Sequence, residues 1–320
     1  MKILFHENQL TERGTSVAMF DYAFYSREFL NIEPIITYNR NNNSKQSAID
    51  RFKQNFNVFS YEHFDEVEDY IDKNSIDAFY AIKYGFDDDI KSLHTKNLIH
   101  AVFSKDAESV HGDRYAVVSE WQAHFCNLPF VPHILTLSDT EEDLRAELNI
   151  PKNALVLGRH GGYDTFNIDF VIGCINEILN KRSDIWFVFL NTEKKIDHPR
   201  VIYLQPTVDL NYKTKFINTC DVMIHARDYG ETFGLSVLEF ASKNKPIISY
   251  DNEYLQTYHP LGGRNHFIFL RDQCYKYTCE SELLGIFLNL ERNTVFDTSF
   301  LKDKFAPKTV MKLFEERFLL

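Results

Sequence analysis

The stretch Asp221–Ser249, DVMIHARDYGETFGLSVLEFASKNKPIIS, decides how the rest of the chain is read. It opens with a short apolar run, Val222 to His225, and continues through a loop bounded by Gly230 and Gly234. A helical pattern follows from Leu235 or Ser236, and a second apolar run ends at Ser249. Strand, loop, helix, strand is the repeating unit of parallel sheets. The two glycines let the backbone approach a ligand closely. The helix start presents unpaired N–H groups and the positive end of its dipole, so an anion such as pyrophosphate is expected there. Glu231 lies before the helix and Glu239 inside it, with seven residues between them. Beside a phosphate, carboxylates suit the hydroxyls of a sugar and a ribose. Taken alone, the same pair reads as a residue complementing the dipole and a solvated helix residue.

The alternation extends in both directions. In the first half, strands are expected at Lys2 to Phe5, Pro34 to Tyr38, Asn57 to Ser60, Asp77 to Ile82, Leu98 to Phe103 and Tyr115 to Ser119, with helices such as Thr15 to Leu30 and Glu62 to Lys73. A helical pattern over Glu141 to Leu148 precedes the polar, proline-containing stretch 149–153, where the domain boundary is placed. Beyond it come strands at Ala154 to Gly158, Ile185 to Leu190, Val201 to Leu204, Val222 to His225 and Pro246 to Ser249. A helix carries Phe170, Val171, Cys174, Ile175, Ile178 and Leu179 on one face. The fold class is therefore α/β. Two Rossmann-like domains are expected, 1–150 on the acceptor side and 151–306 on the donor side, facing across a cleft at the carboxyl ends of their strands. A closing helix, 307–320, begins with Pro307, carries Val310, Leu313, Phe314 and Phe318 on one face, and is expected to pack across the domains.

Composition narrows the function. The net charge is -11 over 320 residues, so the chain has no basic field for a nucleic-acid backbone. Its five cysteines form no Cys-x-x-Cys pair, which argues against a disulfide framework and a structural zinc site. No apolar run approaches a membrane span and the first ten residues lack a signal peptide's apolar core, so a cytoplasmic location is expected. Peripheral membrane contact through Lys308, Lys312 and Arg317 is a weaker reading than a packed closing helix. The expected partners are small molecules and glycans.

With Glu231, Phe233-Gly234-Leu235, Glu239 and Lys245-Pro246-Ile247-Ile248 in this order, the segment resembles the retaining glycosyltransferases of the double-Rossmann GT-B fold, in particular the large family-four group with its Glu-x7-Glu hallmark. The resemblance implies a nucleotide diphosphate sugar as donor, in a metal-independent reaction without further cofactor, serving glycan biosynthesis. It implies that Glu231, Thr232 and the backbone of Phe233 to Leu235 hold the transferred sugar. Ser236 and the helix end would meet the diphosphate, and Glu239 would grip the ribose. Gly158-Arg159 stands at the strand end where the family has an arginine for the donor phosphates, but the family's lysine five residues on is here Asp164. Gly14 and Thr15 lie at the family's glycine turn, where an ordinary helix cap is the competing reading. His100 resembles the first-domain histidine that touches the sugar, against a satisfied core histidine, and His111 competes for that role. Lys83, Ser119 and Trp121 are acceptor-side candidates by position. Asp87-Asp88-Asp89 is read as an acidic helix start rather than a metal site. Two other readings are a nucleotide-sugar epimerase of the same fold, with His100 or His111 as acid or base, and a non-catalytic nucleotide-sugar-binding subunit.

Overall fold

Ile3, Leu4 and Phe5 have no exposed surface in β1 (Lys2–Glu7), as a strand covered on both faces requires. The computed structural model describes residues 1–103, 109–252, 254, 262–271 and 273–320. From β1 the chain runs through α1 (Gly14–Leu30), β2 (Glu33–Asn39), α2 (Gln46–Lys53), β3 (Asn57–Tyr61), α3 (Asp65–Asn74), β4 (Ala78–Lys83), β5 (Lys96–Ala101), β6 (Arg114–Val117) and α4 (Glu120–Cys126). The six strands form one parallel sheet in the order β3-β2-β1-β4-β5-β6, the chain crossing over from β3 to β4 so that the order of addition switches sides between β1 and β4.

The second sheet is also six-stranded and parallel. Its elements are β7 (Leu155–His160), α5 (Asp169–Lys181), β8 (Ile185–Leu190), β9 (Val201–Leu204), α6 (Leu210–Thr219), β10 (Val222–His225), β11 (Gly230–Glu231), α7 (Leu235–Ser242), β12 (Ile247–Tyr250), β13 (Gly263–Arg264), α8 (Asn265–Leu270), β14 (Tyr275–Tyr277) and α9 (Glu280–Asn289). The order is β14-β12-β10-β7-β8-β9, while β11 and β13 form a separate parallel pair. The predicted face of α5 is buried through Val171, Cys174, Ile175, Ile178 and Leu179, against Leu157, Phe187 and Phe189 of the sheet. Each such side chain contributes roughly 1.5–3 kcal/mol by leaving water. α10 (Phe300–Lys304) and α11 (Pro307–Phe314) complete the chain.

The chain divides into two units, Met1–Thr136 with Lys304–Leu320, and Leu137–Thr257 with Gly262–Asp303. Residues 137–150 therefore belong to the second unit. Arg145 explains this, because its guanidinium reaches Asp221 at 2.7 Å and the carbonyl of Ala154 at 3.0 Å, while the Leu144 N–H donates to Thr219. The same contacts replace the expected helix over Glu141 to Leu148 with turns. The closing segment belongs to the first unit, where Phe314 and Phe318 pack on Tyr80 and Phe314 also stacks on Tyr22. Its helix ends at Phe314 in a π turn, Glu315–Leu319. The run Asp87-Asp88-Asp89 starts no helix. Asp88 pairs with buried Lys83, Asp87 pairs with Lys91 at 2.6 Å, and Asp89 takes a left-handed φ of 62°.

Candidate functional site

In the second unit several charged side chains pair with the two carboxylates of the stretch from β10 to α7. β10 ends in His225, beside Ser249 on β12 in parallel register. A turn closed by Gly230 N–H on the Arg227 carbonyl (3.0 Å) leads into β11, which pairs with β13. Gly234 then caps α7 with φ 93° and ψ 50°, in the left-handed region. A Cβ there would come within 3.2 Å of the Glu231 Cβ and 3.3 Å of the His266 Cβ, so the loop admits only glycine without adjustment. The buried side chain of Asn265 donates to the Phe233 carbonyl at 3.0 Å. Gly234, the cap residue, has no side chain with which to bond the helix start.

Glu231 is gripped on both oxygens. Arg227 Nη1 donates to Oε2 at 2.8 Å, and His225 Nε2 lies 3.1 Å from Oε1. Burial would raise its pKa, but the Arg227 charge and the neighbouring histidines outweigh that effect and hold the carboxyl at about 2. Glu239, inside α7 and 1% exposed, is paired with Lys213 of α6 through Oε1, and His160 at the end of β7 lies 2.9 Å from Oε2. Burial is again the largest influence, and Lys213 with His160 overcomes it to bring the carboxyl to about 2. Both carboxylates are thus ionised acceptors, one before and one within α7. Thr232 and Phe233 are buried between them, while Leu235 and Ser236 on the first turn of α7 are partly exposed.

Arg159 is not presented as a free phosphate ligand. Its side chain is buried, with Nη1 donating to Thr192 Oγ1 (2.5 Å) and Nη2 to Thr165 Oγ1 (2.6 Å) and the Gly162 carbonyl (2.8 Å). Burial draws its pKa down to about 10. Its guanidinium ties the loop after β7 to the end of β8. Gly158 is a packing glycine, since a Cβ would overlap Cys220 Sγ and meet Phe240.

In the first unit each candidate has neighbours of its own among the described residues. His100 has no exposed surface. Its ring nitrogens lie 2.7 Å from the Tyr80 hydroxyl and 2.8 Å from the Val131 carbonyl, and burial lowers its pKa to about 4. Both of its ring nitrogens are thus satisfied inside the first unit. His111 approaches the Ser109 carbonyl at 2.9 Å, Ser119 caps α4 by accepting from the Gln122 N–H, and Trp121 packs on Phe125. Gly14 is exposed and opens α1. Thr15 and Ser16 turn their hydroxyls back to Glu7 at the end of β1, each at 2.5 Å, instead of capping the helix. Lys83 is spent on Asp88 and the Ile90 carbonyl. Sequence reading missed His160, Lys213, His225, Arg227, Ser249 and His266. His160 and His225 end their strands at the carboxyl edge of the sheet, a position that could have marked them. Lys213 carries no such signal. Among the described residues, no group of three or more His, Cys, Asp or Glu is placed to hold a metal ion, and no helix is long and apolar enough to cross a membrane.

No family model and no curated protein matches the chain. Solved structures match it over nearly its whole length at low identity. HepE from Anabaena, in complex with UDP and glucose, aligns with a TM-score of 0.70 at 12% identity, covering 99% of this chain and 98% of that one. A glycosyltransferase from Rickettsia africae gives 0.69 at 11%, covering 98% of each chain. A mutant of S. aureus TarM, in complex with fondaparinux, alpha-GlcNAc-glycerol and UDP, gives 0.66 at 10% with full coverage of both. The two Rossmann-like units are those of the GT-B fold.

Proposed function

We propose that this protein is a retaining hexosyltransferase, moving a hexose in the cytoplasm from a nucleoside diphosphate sugar to a hydroxyl of a glycan or small molecule. The observation that carries the reading is the pair Glu231, partly buried, and Glu239, fully buried, two carboxylates kept ionised before and within α7, whose start is capped by Gly234. Ionised carboxylates accept hydrogen bonds only, so they suit hydroxyl-bearing ligands. The backbone N–H groups entering α7 suit a diphosphate.

In this reading Glu231 holds hydroxyls of the transferred sugar, Glu239 those of the ribose, and Ser236 meets the diphosphate. The acceptor proton passes to the donor's own phosphate oxygen as the leaving group departs, so no side-chain nucleophile, metal or further cofactor is invoked. Asp164 replaces the cation expected beside Arg159. The charges of Arg159, Arg227 and Lys213 remain to balance the leaving group through space. HepE was solved with UDP and glucose, which supports a nucleotide sugar as the donor class.

The test is hydrolysis of uridine, guanosine, adenosine and thymidine diphosphate sugars, in chelator, by the wild type and by Glu231→Ala and Glu239→Ala, following released nucleotide and the anomer of the sugar. Slow release from one donor with its anomeric configuration kept, lost in both variants, is the expected result. Conversion to a different nucleotide sugar without acceptor would establish the epimerase instead. Binding without turnover would leave a non-catalytic subunit.

A further inference from the structure

At the carboxyl edge of the first sheet the chain leaves β4 through Tyr84-Gly85-Phe86 and leaves β5 through Val102-Phe103. The Val102 N–H donates to the Lys83 carbonyl at 2.9 Å and the Phe103 N–H to the Tyr84 carbonyl at 2.7 Å, so the pairing of β4 with β5 continues past the sheet and sets Tyr84 beside Phe103. Their ring centroids are 4.7 Å apart, and Phe86 adds a third ring 4.9 Å from that of Tyr84. Tyr84 is 46% exposed and Phe86 57%, while Phe103 is partly buried. The loop beneath them is anchored. The Tyr115 hydroxyl donates to the Gly85 carbonyl at 2.5 Å, Gly85 takes a φ of 144°, and buried Lys83 pairs with Asp88. Apolar residues exposed singly are ordinary, but exposed rings clustered on an anchored loop mark a contact surface.

Size limits what this surface can hold. Aromatic side chains cover about 150–250 Å² each, so two half-exposed rings with part of a third offer roughly 200–300 Å². A stable protein partner, a second copy of this chain included, needs about 800 Å² on each side. One ring-sized molecule matches the area. Charge narrows the choice further. Asp87, Asp88 and Asp89 follow the rings directly and are exposed. Lys91 pairs with Asp87 and Lys83 with Asp88, which leaves Asp89 without an ion pair among the described residues. With a net charge of -11 over the chain, an anionic occupant is disfavoured here. The negative faces of aromatic rings attract C–H groups, and carboxylates accept from hydroxyls. A pyranose ring offers both, an apolar C–H face and a rim of hydroxyls. The carboxyl ends of the strands are also where open α/β sheets bind ligands.

We propose that Tyr84, Phe86 and Phe103 form a stacking platform for one sugar ring of an uncharged glycan, held by its C–H face with its hydroxyls towards the neighbouring aspartates. As an acceptor site the platform rests on the transferase reading above, but its first readout needs no donor. Saturation-transfer NMR is recorded with the methyl α- and β-pyranosides of glucose, galactose, mannose and N-acetylglucosamine. The proteins are the wild type, Tyr84→Ala, Phe86→Ala, Phe86→Tyr and, as a control in the same loop, Leu93→Ala at a position 85% exposed. Transfer from aromatic protons to the ring C–H protons of at least one glycoside is expected. Affinity should fall about tenfold in Tyr84→Ala and Phe86→Ala and be kept in Phe86→Tyr and Leu93→Ala. Urea unfolding confirms that the exposed substitutions leave the fold intact. No transfer to any glycoside, or equal affinity in the alanine variants at the rings, overturns the proposal. A dimer seen by sedimentation and lost in Phe86→Ala would make the surface a contact between copies and overturn it too.

With a donor from the hydrolysis panel, the bound glycoside should act as acceptor, and Phe86→Ala should raise its KM about tenfold with kcat little changed. An unchanged KM overturns the platform as an acceptor site. If glycosides meet the rings and no nucleotide sugar is turned over, the platform stands and the transferase reading falls. If donor turnover depends on Glu231 and Glu239 and no glycoside meets the rings, the transferase reading stands and the platform falls.

Discussion

Ser16 Oγ lies 2.5 Å from Glu7 Oε2, so a hydroxyl on the first turn of α1 is pressed onto a buried carboxyl at the end of β1. Burial raises the Glu7 pKa to about 7 from an ordinary 4.5, against the pull of the Ser16 and Thr15 hydroxyls. Between those values the unfolded chain has released the proton while the folded chain still holds it. This contribution to stability is complete below pH 4.5 and is lost as pH rises through about 7. Glu231 and Glu239 act with the opposite sign, contributing above pH 4.5 and losing their contribution as pH falls towards about 2. Glu7→Gln should flatten the decline of Tm between about pH 4.5 and 7 and leave the acid limb unchanged. Differential scanning calorimetry across that range checks this, and an unaltered decline would place the titration elsewhere.

Gly158 faces Cys220 and Phe240 with no room for a methyl group. Gly158→Ala should therefore cost about 1–3 kcal/mol by overpacking, measured by urea unfolding. Nucleotide affinity of the folded fraction should be unchanged. A fall in affinity without a fall in stability would return Gly158 to the binding surface.

Arg159 makes its hydrogen bonds to neutral oxygens of two loops, a geometry that the point charge of lysine cannot copy. Arg159→Lys should lower stability by about 2–3 kcal/mol, on the scale of lost hydrogen bonds to a charged group. Donor turnover at a temperature where the variant is fully folded should fall less than in Glu239→Ala. Equal losses in turnover would show that the guanidinium meets phosphate directly.

The layout of both sheets was legible because their strands are short apolar runs set between helical periods, as in Ile185–Leu190 and the face of α5. The charge-bearing loop was legible through its glycines, since Gly234 does occupy the left-handed cap that its residue type allows. What sequence spacing does not carry is the identity of partners. His100 looks like a strand-end histidine, and only Tyr80 and Val131 show that it is a core residue. Asp87 to Asp89 have the composition of a helix start, but pairing with Lys83 and Lys91 draws them into a loop. Lys213 sits 26 residues before Glu239 on a different helix, so nothing in the local pattern connects the two.

Lys213 and Glu239 form an ion pair that is nearly closed to solvent, with side chains 14% and 2% exposed. Removing one member leaves the other as an uncompensated buried charge, at a cost of about 3–5 kcal/mol. Glu239→Gln and Lys213→Met should each destabilise the protein on that scale, because Lys213 is the leading counter-charge of Glu239. The double variant removes both charges together and should recover much of the stability, since neither partner is then stranded. Nucleotide affinity should follow a different pattern. If Glu239 holds the ribose, the double variant stays as weak a binder as Glu239→Gln despite its recovered stability, whereas Lys213→Met keeps most of the affinity once folded. Urea unfolding and calorimetric titration with nucleotide on the four proteins separate the two roles. Recovery of both stability and affinity in the double variant would make the pair purely structural and remove Glu239 from the donor site.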